Sequence, residues 1–200
     1  MKQVKEIVIA TNNQGKLKEI EELLVGYHVV SLKDVKCNIE VVEDQNTFEG
    51  NAKKKAKEIS EKLNMPCIAD DSGLCIEKYN GWPGIYTARF LGENATSQER
   101  NTYILEKMKN LEGIERNASV KCCIVYYDKG KCRIGKGEIK GRIAKEAKGN
   151  NGFGFDEIFE LPNGKTYAEL TTEEKNQISH RRLALQDLMN QLKKEDVIDE

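Results

Sequence analysis

The sequence lacks the features that mark several large classes of protein. No hydrophobic run is long enough to span a membrane or to form a signal-peptide core, because the apolar stretch at residues 4–10 has only the length of a strand. A formal net charge of −1 provides no basic field for following a nucleic acid. Repeats, low-complexity tracts and interdomain linkers are also missing. We therefore expect no membrane and no nucleic-acid partner.

Paired cysteine motifs are missing as well. The six cysteines are scattered and none forms a CxxC spacing, so the pattern predicts neither a zinc site nor a disulfide framework. Cys122 and Cys123 are adjacent, and on a strand their side chains would point to opposite faces. Reduced, buried thiols of this kind are typical of a cytoplasmic protein.

What is present indicates one mixed α/β domain. Hydrophobic residues make up 38% and charged residues 32% of 200 residues, which is enough for one good core. Residues 4–10 predict a buried strand, and Leu17, Ile20, Leu23 and Leu24 then recur at helical spacing. Further patterns predict a strand at 27–32, a helix at 48–63, a hairpin around "DKGK", and helices after the capping boxes that begin at Thr96 and Thr171.

The stretch "CIADDSGLCI" at residues 67–76 is the strongest sign of chemistry. Two apolar runs around Ser72 and Gly73 predict buried strands joined by a tight turn, with Asp70 and Asp71 at a strand end. One aspartate could cap the turn, but two buried carboxylates would repel each other. A hard cation such as Mg²⁺, shared with water and a substrate phosphate, would relieve that repulsion. The pair therefore predicts a metal site with a general base.

Two further motifs each allow two interpretations. The turn "TNNQGK" at residues 11–16 stands before a helix and could present amide groups and Lys16 to a phosphate, although an ordinary βα turn looks the same. It is neither a Walker A nor a GxGxxG motif. The aromatic rings of "FGFD", with Phe153, Phe155 and Asp156, could stack a base or could simply belong to the core.

The basic residues of the last predicted helix are equally ambiguous. Lys175, His180, Arg181 and Arg182 could form a solvated face or bind a polyphosphate or a nucleobase carbonyl. Arg181 and Arg182 both lie at helical spacing from Ile178, so periodicity does not separate them. An inward-facing arginine needs an acceptor, and the O6 atom of a purine would serve.

Together these stretches resemble one family over nearly the whole chain. "ATNNQGK", "TFEGNAKKKA", "ADDSGL", "GWPGIYTARF", "GFGFDEIF" and "AELTTEEKNQISHR" occur in the order found in the Ham1-type inosine triphosphate pyrophosphatases. The resemblance implies a single domain over residues 1–200, with an elongated mixed sheet, flanking helices and two lobes around a nucleotide-binding cleft. It also implies a cytoplasmic, Mg²⁺-dependent homodimer that hydrolyses ITP, dITP and XTP to the monophosphate and pyrophosphate.

The resemblance further implies a role for individual residues. Asp71 would be the proton acceptor, and Asp71 and Glu43 would bind the metal, although "VEDQNTF" departs from the usual family pattern and leaves Glu40 and Asp44 as alternatives to Glu43. Phe155 stands where the family often has tyrosine. The substrate-binding residues implied are Thr11, Asn12, Asn13, Gln14, Gly15, Lys16, Lys55, Ser72, Phe153, Gly154, Phe155, Asp156, Lys175, His180 and Arg181.

Three other readings of these motifs are possible. A related pyrophosphatase for pyrimidine nucleotides would share the chemistry, but its motifs match less well. A non-catalytic nucleotide-binding module would not need the acidic pair, and a structural protein would leave the polar motifs unexplained. The stretch "ADDSG" argues against both non-enzymes.

Overall fold

A computed structural model describes residues 6–198 and confirms the mixed α/β class. The strands are β1 (Glu6–Ile9), β2 (His28–Ser31), β3 (Cys67–Ile76), β4 (Trp82–Pro83), β5 (Asn117–Asp128), β6 (Lys131–Ile143) and β7 (Phe159–Glu160). The helices are α1 (Gln14–Leu23), α2 (Phe48–Leu63), α3 (Ser97–Lys107), α4 (Thr172–Ile178) and α5 (His180–Ile198).

The strands form a mixed sheet. Its order is β2-β1-β3-β5-β6-β7, and β4 pairs antiparallel with β3. β1 runs parallel to both β2 and β3, since the helices α1 and α2 provide the long connections that parallel strands require. β7 pairs antiparallel with β6. The predicted hairpin is confirmed, because β5 and β6 are neighbours joined only by Lys129 and Gly130, both with positive φ.

The predicted helix starts are confirmed by their caps. The Thr47 side chain accepts a hydrogen bond from the Gly50 amide at the start of α2. Thr96 with Glu99, and Thr171 with Glu174, form reciprocal capping boxes at α3 and α4. These side chains satisfy amide groups that a helix leaves without an internal partner, so sequence-local chemistry determines where the helices begin.

Two expectations about element boundaries were wrong. No turn interrupts residues 67–76, because Ser72 and Gly73 remain inside the single ten-residue strand β3. The charges that suggested a strand end are instead compensated by cations described below. The last helix is also broken, since Ser179 is extended (φ −75°, ψ 154°) between α4 and α5. Ile178 is consequently 40% exposed and does not share an apolar face with Leu185.

The described residues divide into two compact units. The first contains the described residues up to Asp71, then Cys122–Gly137, and the described residues from Arg181 onward. Its core has two parts because consecutive strand residues face opposite sides of the sheet. Ile7, Ile9 and Ile68 pack with residues of α1 and α5, whereas Val8 and Ala69 pack with residues of α2.

The second unit contains Ser72–Lys121 and Glu138–His180. Its core is one cluster, in which residues from β3, α3, β5 and β6 surround the aromatic rings of Phe159 and Tyr167. These two rings meet edge to face, with centroids 5.1 Å apart. Such a geometry is favoured by the ring quadrupoles and fixes both rings in the core.

All six cysteines are free thiols, of which Cys67, Cys122 and Cys123 are buried and the others are half-buried. Cys122 and Cys123 point to opposite faces as predicted, since they belong to different parts of the first unit's core. Burial raises the pKa of the Cys67 thiol to about 12, so this thiol stays protonated and unreactive near neutral pH. Across residues 6–198, no helix combines the length and the apolar character that crossing a membrane requires.

Candidate active site

The two aspartates of β3 face different surroundings. Both are buried, with 1% of Asp70 and 5% of Asp71 exposed. By strand alternation Asp70 shares the face of Ile68, and Asp71 shares the face of Ala69. The contacts agree, because Asp70 meets residues of α1 and α5 whereas Asp71 meets a residue of α2. Alternation thus separates the two carboxylates whose repulsion the sequence raised as a problem.

Asp70 is compensated by cations. Its Oδ2 atom lies 3.1 Å from Lys16 Nζ and 3.2 Å from Arg181 Nη2. Burial by itself would raise the pKa of Asp70, but the charges of Lys16, Arg181 and Lys55 outweigh it and hold the pKa well below its usual range. Asp70 is therefore a permanent anion. Its Oδ1 atom is buried without a hydrogen-bond partner among the described residues.

Asp71 has the opposite electrostatic character. Burial, together with the nearby Glu43 carboxylate, raises the pKa of Asp71 to about 6. Lys16 and Lys55 oppose this rise, as does a 3.0 Å hydrogen bond that Asn51 Nδ2 donates to Asp71 Oδ2. A carboxyl group poised this close to neutrality suits a general base, because it accepts a proton readily but is mostly ionised at pH 7.

Lys16 is placed by the start of α1. The Asn13 side chain caps this helix by accepting from the Lys16 amide at 3.1 Å, and Thr11 Oγ1 accepts from the Asn13 amide at the same distance. Residues 11–16 therefore run from the end of β1 into the first turn of α1, where unpaired amides and the helix dipole favour anions. The Lys16 side chain is 18% exposed, which leaves part of it open to solvent.

The acidic segment at residues 43–45 lies against α2. Glu43 Oε1 is 2.5 Å from Lys55 Nζ, and Asp44 Oδ1 is 2.9 Å from Lys54 Nζ. Glu43 is half-buried and close enough to Asp71 to raise its pKa, whereas Glu40 and Asp44 are exposed. Among the three alternatives, Glu43 is the carboxylate whose interaction with Asp71 the structure records. We call Lys16, Glu43, Lys55, Asp70 and Asp71 the acidic cluster.

The donors of the acidic cluster fit Mg²⁺. Mg²⁺ commonly takes one or two protein carboxylates and completes its shell with water and substrate phosphate. Glu43 and Asp71 supply such a pair of carboxylates, and their mutual repulsion is what a divalent cation would relieve. Within residues 6–198 no group of three or more histidine, cysteine, aspartate or glutamate side chains that could hold a metal ion is found.

The second unit holds an aromatic loop at residues 149–156. Gly152 (φ 76°) has no room for a side chain, because a Cβ there would lie 2.0 Å from Asp156 Oδ2. That oxygen accepts from the Phe153 amide at 2.9 Å and lies 2.6 Å from Lys175 Nζ. The Lys175 ammonium in turn lies 4.7 Å from the centre of the Phe153 ring. Asp156 thus joins Phe153 and Lys175 into one arrangement.

His180 also belongs to the aromatic group of this unit. Its ring stacks on Tyr167 at an angle of 11° with centroids 6.1 Å apart, and the Phe155 ring is 6.2 Å away. On the helix α3, Asn101 donates from Nδ2 to the Gly154 carbonyl at 2.9 Å, which fixes the middle of the aromatic loop. Phe153 and Phe155 are half-buried, so part of each ring remains accessible.

Both groups lie within a region that matches a known family. Residues 7–191 match the model of the Ham1 family. This chain belongs to the Ham1 family. A protein of Clostridium perfringens named dITP/XTP pyrophosphatase is 42% identical over 200 residues, which cover 95% of this chain and 98% of the relative. A Bacillus subtilis protein of the same name is 42% identical over 189 residues, covering 92% and 96%.

A solved Ham1 structure agrees with the fold. The Ham1 protein of Staphylococcus aureus has a TM-score of 0.85 and 41% sequence identity to this chain, covering 96% of this chain and all of its own. The predicted membership of the Ham1 family and the predicted fold class are therefore both confirmed.

Arg181 occupies an environment that the Ham1 motif does not reveal. Its side chain is 1% exposed, and its guanidinium forms ion pairs with Asp70 and with Glu19 of α1. An inward-facing arginine needs an acceptor, and the O6 atom of a base was the acceptor expected from the sequence. The structure provides two acceptors within the protein, so the need for an acceptor does not by itself point to base recognition.

Sequence reasoning missed several residues that contact the candidate residues within each unit. Glu19 lies three residues after Lys16 on α1, a spacing that places both on one helix face. Asn51 precedes the buried Ala52 within the quoted "TFEGNAKKKA" and could have been recognised as a polar residue at a buried position. Asn101 and Tyr167 carry no local signal, because their partners Gly154 and His180 are distant along the chain.

Ser72 lies next to Asp71 in β3 and is half-buried. In residues 11–16, Asn12, Asn13 and Gln14 are exposed and Gly15 is half-buried.

Proposed function

We propose that this protein hydrolyses dITP, ITP and XTP to the nucleoside monophosphate and pyrophosphate. The observation that carries the proposal is a buried Asp71, with its pKa raised to about 6, held beside Lys16, Lys55 and Glu43. This arrangement occurs in a chain that shares 42% of its residues with proteins named dITP/XTP pyrophosphatase. A non-catalytic module would have no use for a carboxyl group poised to accept a proton.

The reaction follows from the charges of the acidic cluster. Water attacks the α-phosphorus, Asp71 accepts its proton, and the bond to the oxygen that bridges the α- and β-phosphorus breaks, so that pyrophosphate leaves. Lys16 and Lys55 neutralise the charge that develops on the phosphates, and Asp70 keeps Lys16 in place. When bound by Glu43 and Asp71, Mg²⁺ would polarise phosphate oxygens and orient the water.

The aromatic group of the second unit would bind the base. Phe153 and Phe155 offer rings for stacking, and Asp156, Lys175 and His180 offer hydrogen-bonding groups beside them. Hypoxanthine and xanthine present an O6 acceptor where adenine presents an amino donor. A site that donates to O6 leaves its own groups unpaired against adenine and can discriminate by on the order of 10⁴.

The remaining proposals come from the resemblance. We propose that residues 1–200 act as one catalytic domain, that Mg²⁺ is the cofactor, and that the protein is a cytoplasmic homodimer. Residues 11–16 would contact the triphosphate, Ser72 would contact the substrate, and Gly154 would let the aromatic loop approach the base with a positive φ of 63°.

A pyrophosphate-release assay tests the function. The panel contains dITP, ITP, XTP, ATP, GTP and dUTP, each with Mg²⁺ and with a chelator, and Asp71→Asn serves as the inactive control. We expect release from the first three nucleotides only when Mg²⁺ is present. Preferential release from dUTP would favour the pyrimidine-specific alternative, and nucleotide binding without any release would favour the non-catalytic module.

A further inference from the structure

The buried residue Asn51 makes hydrogen bonds to two different parts of the chain. Its side chain is 1% exposed, and its Nδ2 atom donates to Asp71 Oδ2 at 3.0 Å. Its Oδ1 atom accepts from the Gln45 amide, also at 3.0 Å. One side-chain amide thus connects β3 to the segment that carries Glu43. A side-chain amide carries both a donor and an acceptor, and among the two amide residues glutamine is longer than asparagine by one methylene.

Gly50, the residue before Asn51, allows the acidic segment at residues 43–45 to lie close to α2. A Cβ at Gly50 would lie 2.8 Å from Gln45 Cβ and 3.1 Å from Thr47 Oγ1. Real side chains do not approach this closely, so any larger residue would push residue 45 away from α2. Gly50 and Asn51 together form part of the surface of α2 that contacts the acidic segment, and we call this surface the seat.

The seat continues along one face of α2. Asn51, Lys54 and Lys55 stand at positions i, i+3 and i+4, which share a helix face. They contact Gln45, Asp44 and Glu43 in turn, so three consecutive residues of the segment are held by three side chains of the helix. The Lys54–Asp44 pair is partly exposed and screened by solvent, whereas the Asn51 side chain is buried, its bond to Asp71 fully and its bond to Gln45 in part.

We infer that Asn51 is a positioning residue for the proposed hydrolysis, on which this inference rests. It restricts rotation of the Asp71 carboxylate by holding Oδ2, and through Gln45 it sets the position of Glu43 relative to Asp71. General-base catalysis depends on the direction of the accepting oxygen, and a misplacement of about 1 Å can cost on the order of 10²-fold in rate. Asn51 acts through Asp71 and the acidic segment rather than by touching the reacting atoms.

Two substitutions separate the contacts of Asn51. Asn51→Asp has the same shape and still accepts from the Gln45 amide, but it no longer donates to Asp71 when its carboxyl group is ionised. Asn51→Leu is similar in size, removes both hydrogen bonds and adds no charge. A loss of rate shared by both variants therefore does not come from an added carboxylate. Ser60→Ala is the matched control, because Ser60 is also buried on α2 and loses one hydrogen bond, to the Met65 carbonyl at 2.6 Å.

The measurements are steady-state kinetics on dITP with Mg²⁺, thermal unfolding, and hydrogen exchange of the segment around Gln45 without metal or nucleotide. We expect both Asn51 variants to lose kcat by about 10²-fold with KM changed by less than about threefold. Ser60→Ala should keep kcat at a comparable loss of thermal stability. Protection of the Gln45 amide should persist in Asn51→Asp and disappear in Asn51→Leu.

Different results would overturn different claims. An Asn51→Asp protein that keeps kcat within about threefold of wild type would show that the hydrogen bond to Asp71 is structural only. Unchanged Gln45 protection in Asn51→Leu would overturn the seat. A wild-type protein that releases pyrophosphate from none of the nucleotides would overturn the proposed function and this role with it, whereas an active wild type with a fully active Asn51→Asp would overturn the role alone.

Discussion

The acidic cluster and the aromatic loop are built in different ways. In the acidic cluster, all the charged side chains except Glu43 belong to β3, α1 and α2. Opposite charges compensate one another across short distances, as Lys16 does for Asp70. In the aromatic loop, glycines with positive φ shape the backbone, and side chains from elsewhere, such as Asn101 and Lys175, hold it by hydrogen bonds and ion pairs. In the proposed function, the first arrangement serves the reaction at the phosphates, which all nucleotides share, and the second serves recognition of the base.

This difference predicts two classes of variant. Changes in the acidic cluster should lower turnover for every triphosphate in the same proportion, because all share the phosphate chain. Changes around the aromatic loop should alter affinity and base preference while leaving kcat nearly intact. The predictions below test whether the division holds, beginning with the largest expected effect.

Asp71→Asn should remove most turnover. The amide cannot accept the proton of water and is a poorer metal ligand, and general-base catalysis typically contributes about 10²–10⁴-fold. Assays on ITP and ATP, with circular dichroism as a check of folding, measure this. Near wild-type activity in a folded Asp71→Asn protein would remove Asp71 from the role of base.

Arg181→Ala tests to which of the two classes Arg181 belongs. Arg181 directly follows His180 of the aromatic group in sequence, yet it belongs to the first unit, which contains the acidic cluster. Its removal leaves Asp70 and Glu19 buried with one cation fewer, which should cost about 3–5 kcal/mol of unfolding free energy. Denaturant unfolding measures the loss, and Arg182→Ala, at a half-buried position, is the control.

The kinetics of Arg181→Ala then decide its role. If Arg181 acts by holding Asp70 of the acidic cluster, Arg181→Ala should lose activity on ITP and ATP alike. If Arg181 instead donates to O6 of the base, as expected from the sequence, the fall in kcat/KM for ITP should correspond to about 1–3 kcal/mol. The fall for ATP should be much smaller. A selectivity loss in Arg182→Ala instead would assign base recognition to the other arginine.

The stability of the metal-free protein should fall as pH rises through the titration of Asp71. The pKa of Asp71 is about 6 in the folded state and about 3.9 in the unfolded state, so the folded state binds more protons in this window. The loss should accumulate between about pH 4 and pH 6 and reach about 3 kcal/mol above it, since each pKa unit corresponds to about 1.4 kcal/mol.

Asp71→Asn cannot titrate and provides the reference for this measurement. Unfolding by urea in the presence of a chelator, from pH 4 to 7.5, should show wild type losing stability relative to the variant. A difference between the two proteins that stays constant with pH would mean that the carboxyl group of Asp71 has an ordinary pKa.

Lys16→Ala and Lys55→Ala should each weaken catalysis by about 10–10²-fold, the range for loss of a hydrogen bond to a charged group. Because both lysines would contact phosphate, the ratio of ITP to ATP activity should stay nearly constant. Lys57→Ala, at an exposed position of α2, is the control. A large change in that ratio with little loss of rate would reassign the lysine to base recognition.

Asn101→Ala should have the smallest effect. It removes the hydrogen bond to the Gly154 carbonyl, which is worth about 1 kcal/mol, and should raise KM for dITP a few-fold with kcat unchanged. Thr102→Ala, exposed on the same helix, is the control. A fall in kcat with KM unchanged would show that the aromatic loop contributes to turnover, and would contradict the division between the two classes of variant.

The fold was predictable where local rules decide it. Apolar patterns predicted β1, α1 and α2, and threonine capping boxes predicted the starts of α3 and α4. Prediction of element boundaries failed where a small or polar residue is compatible with more than one local conformation. Ser72 and Gly73 looked like a turn, and Ser179, a residue type favoured at helix starts, was read as part of one continuous helix.

The sequence by itself determined the family, the mixed α/β class and most of the residues proposed for chemistry, because motifs such as "ADDSG" place reactive groups on elements whose direction follows from periodicity. Only the tertiary structure decided their partners. Asp70 became a permanent anion and Asp71 a poised base because β3 buries them on opposite faces, against different helices. The pKa of a buried group depends on charges that folding brings near it from distant positions, such as Arg181 beside Asp70, and no local pattern encodes that proximity.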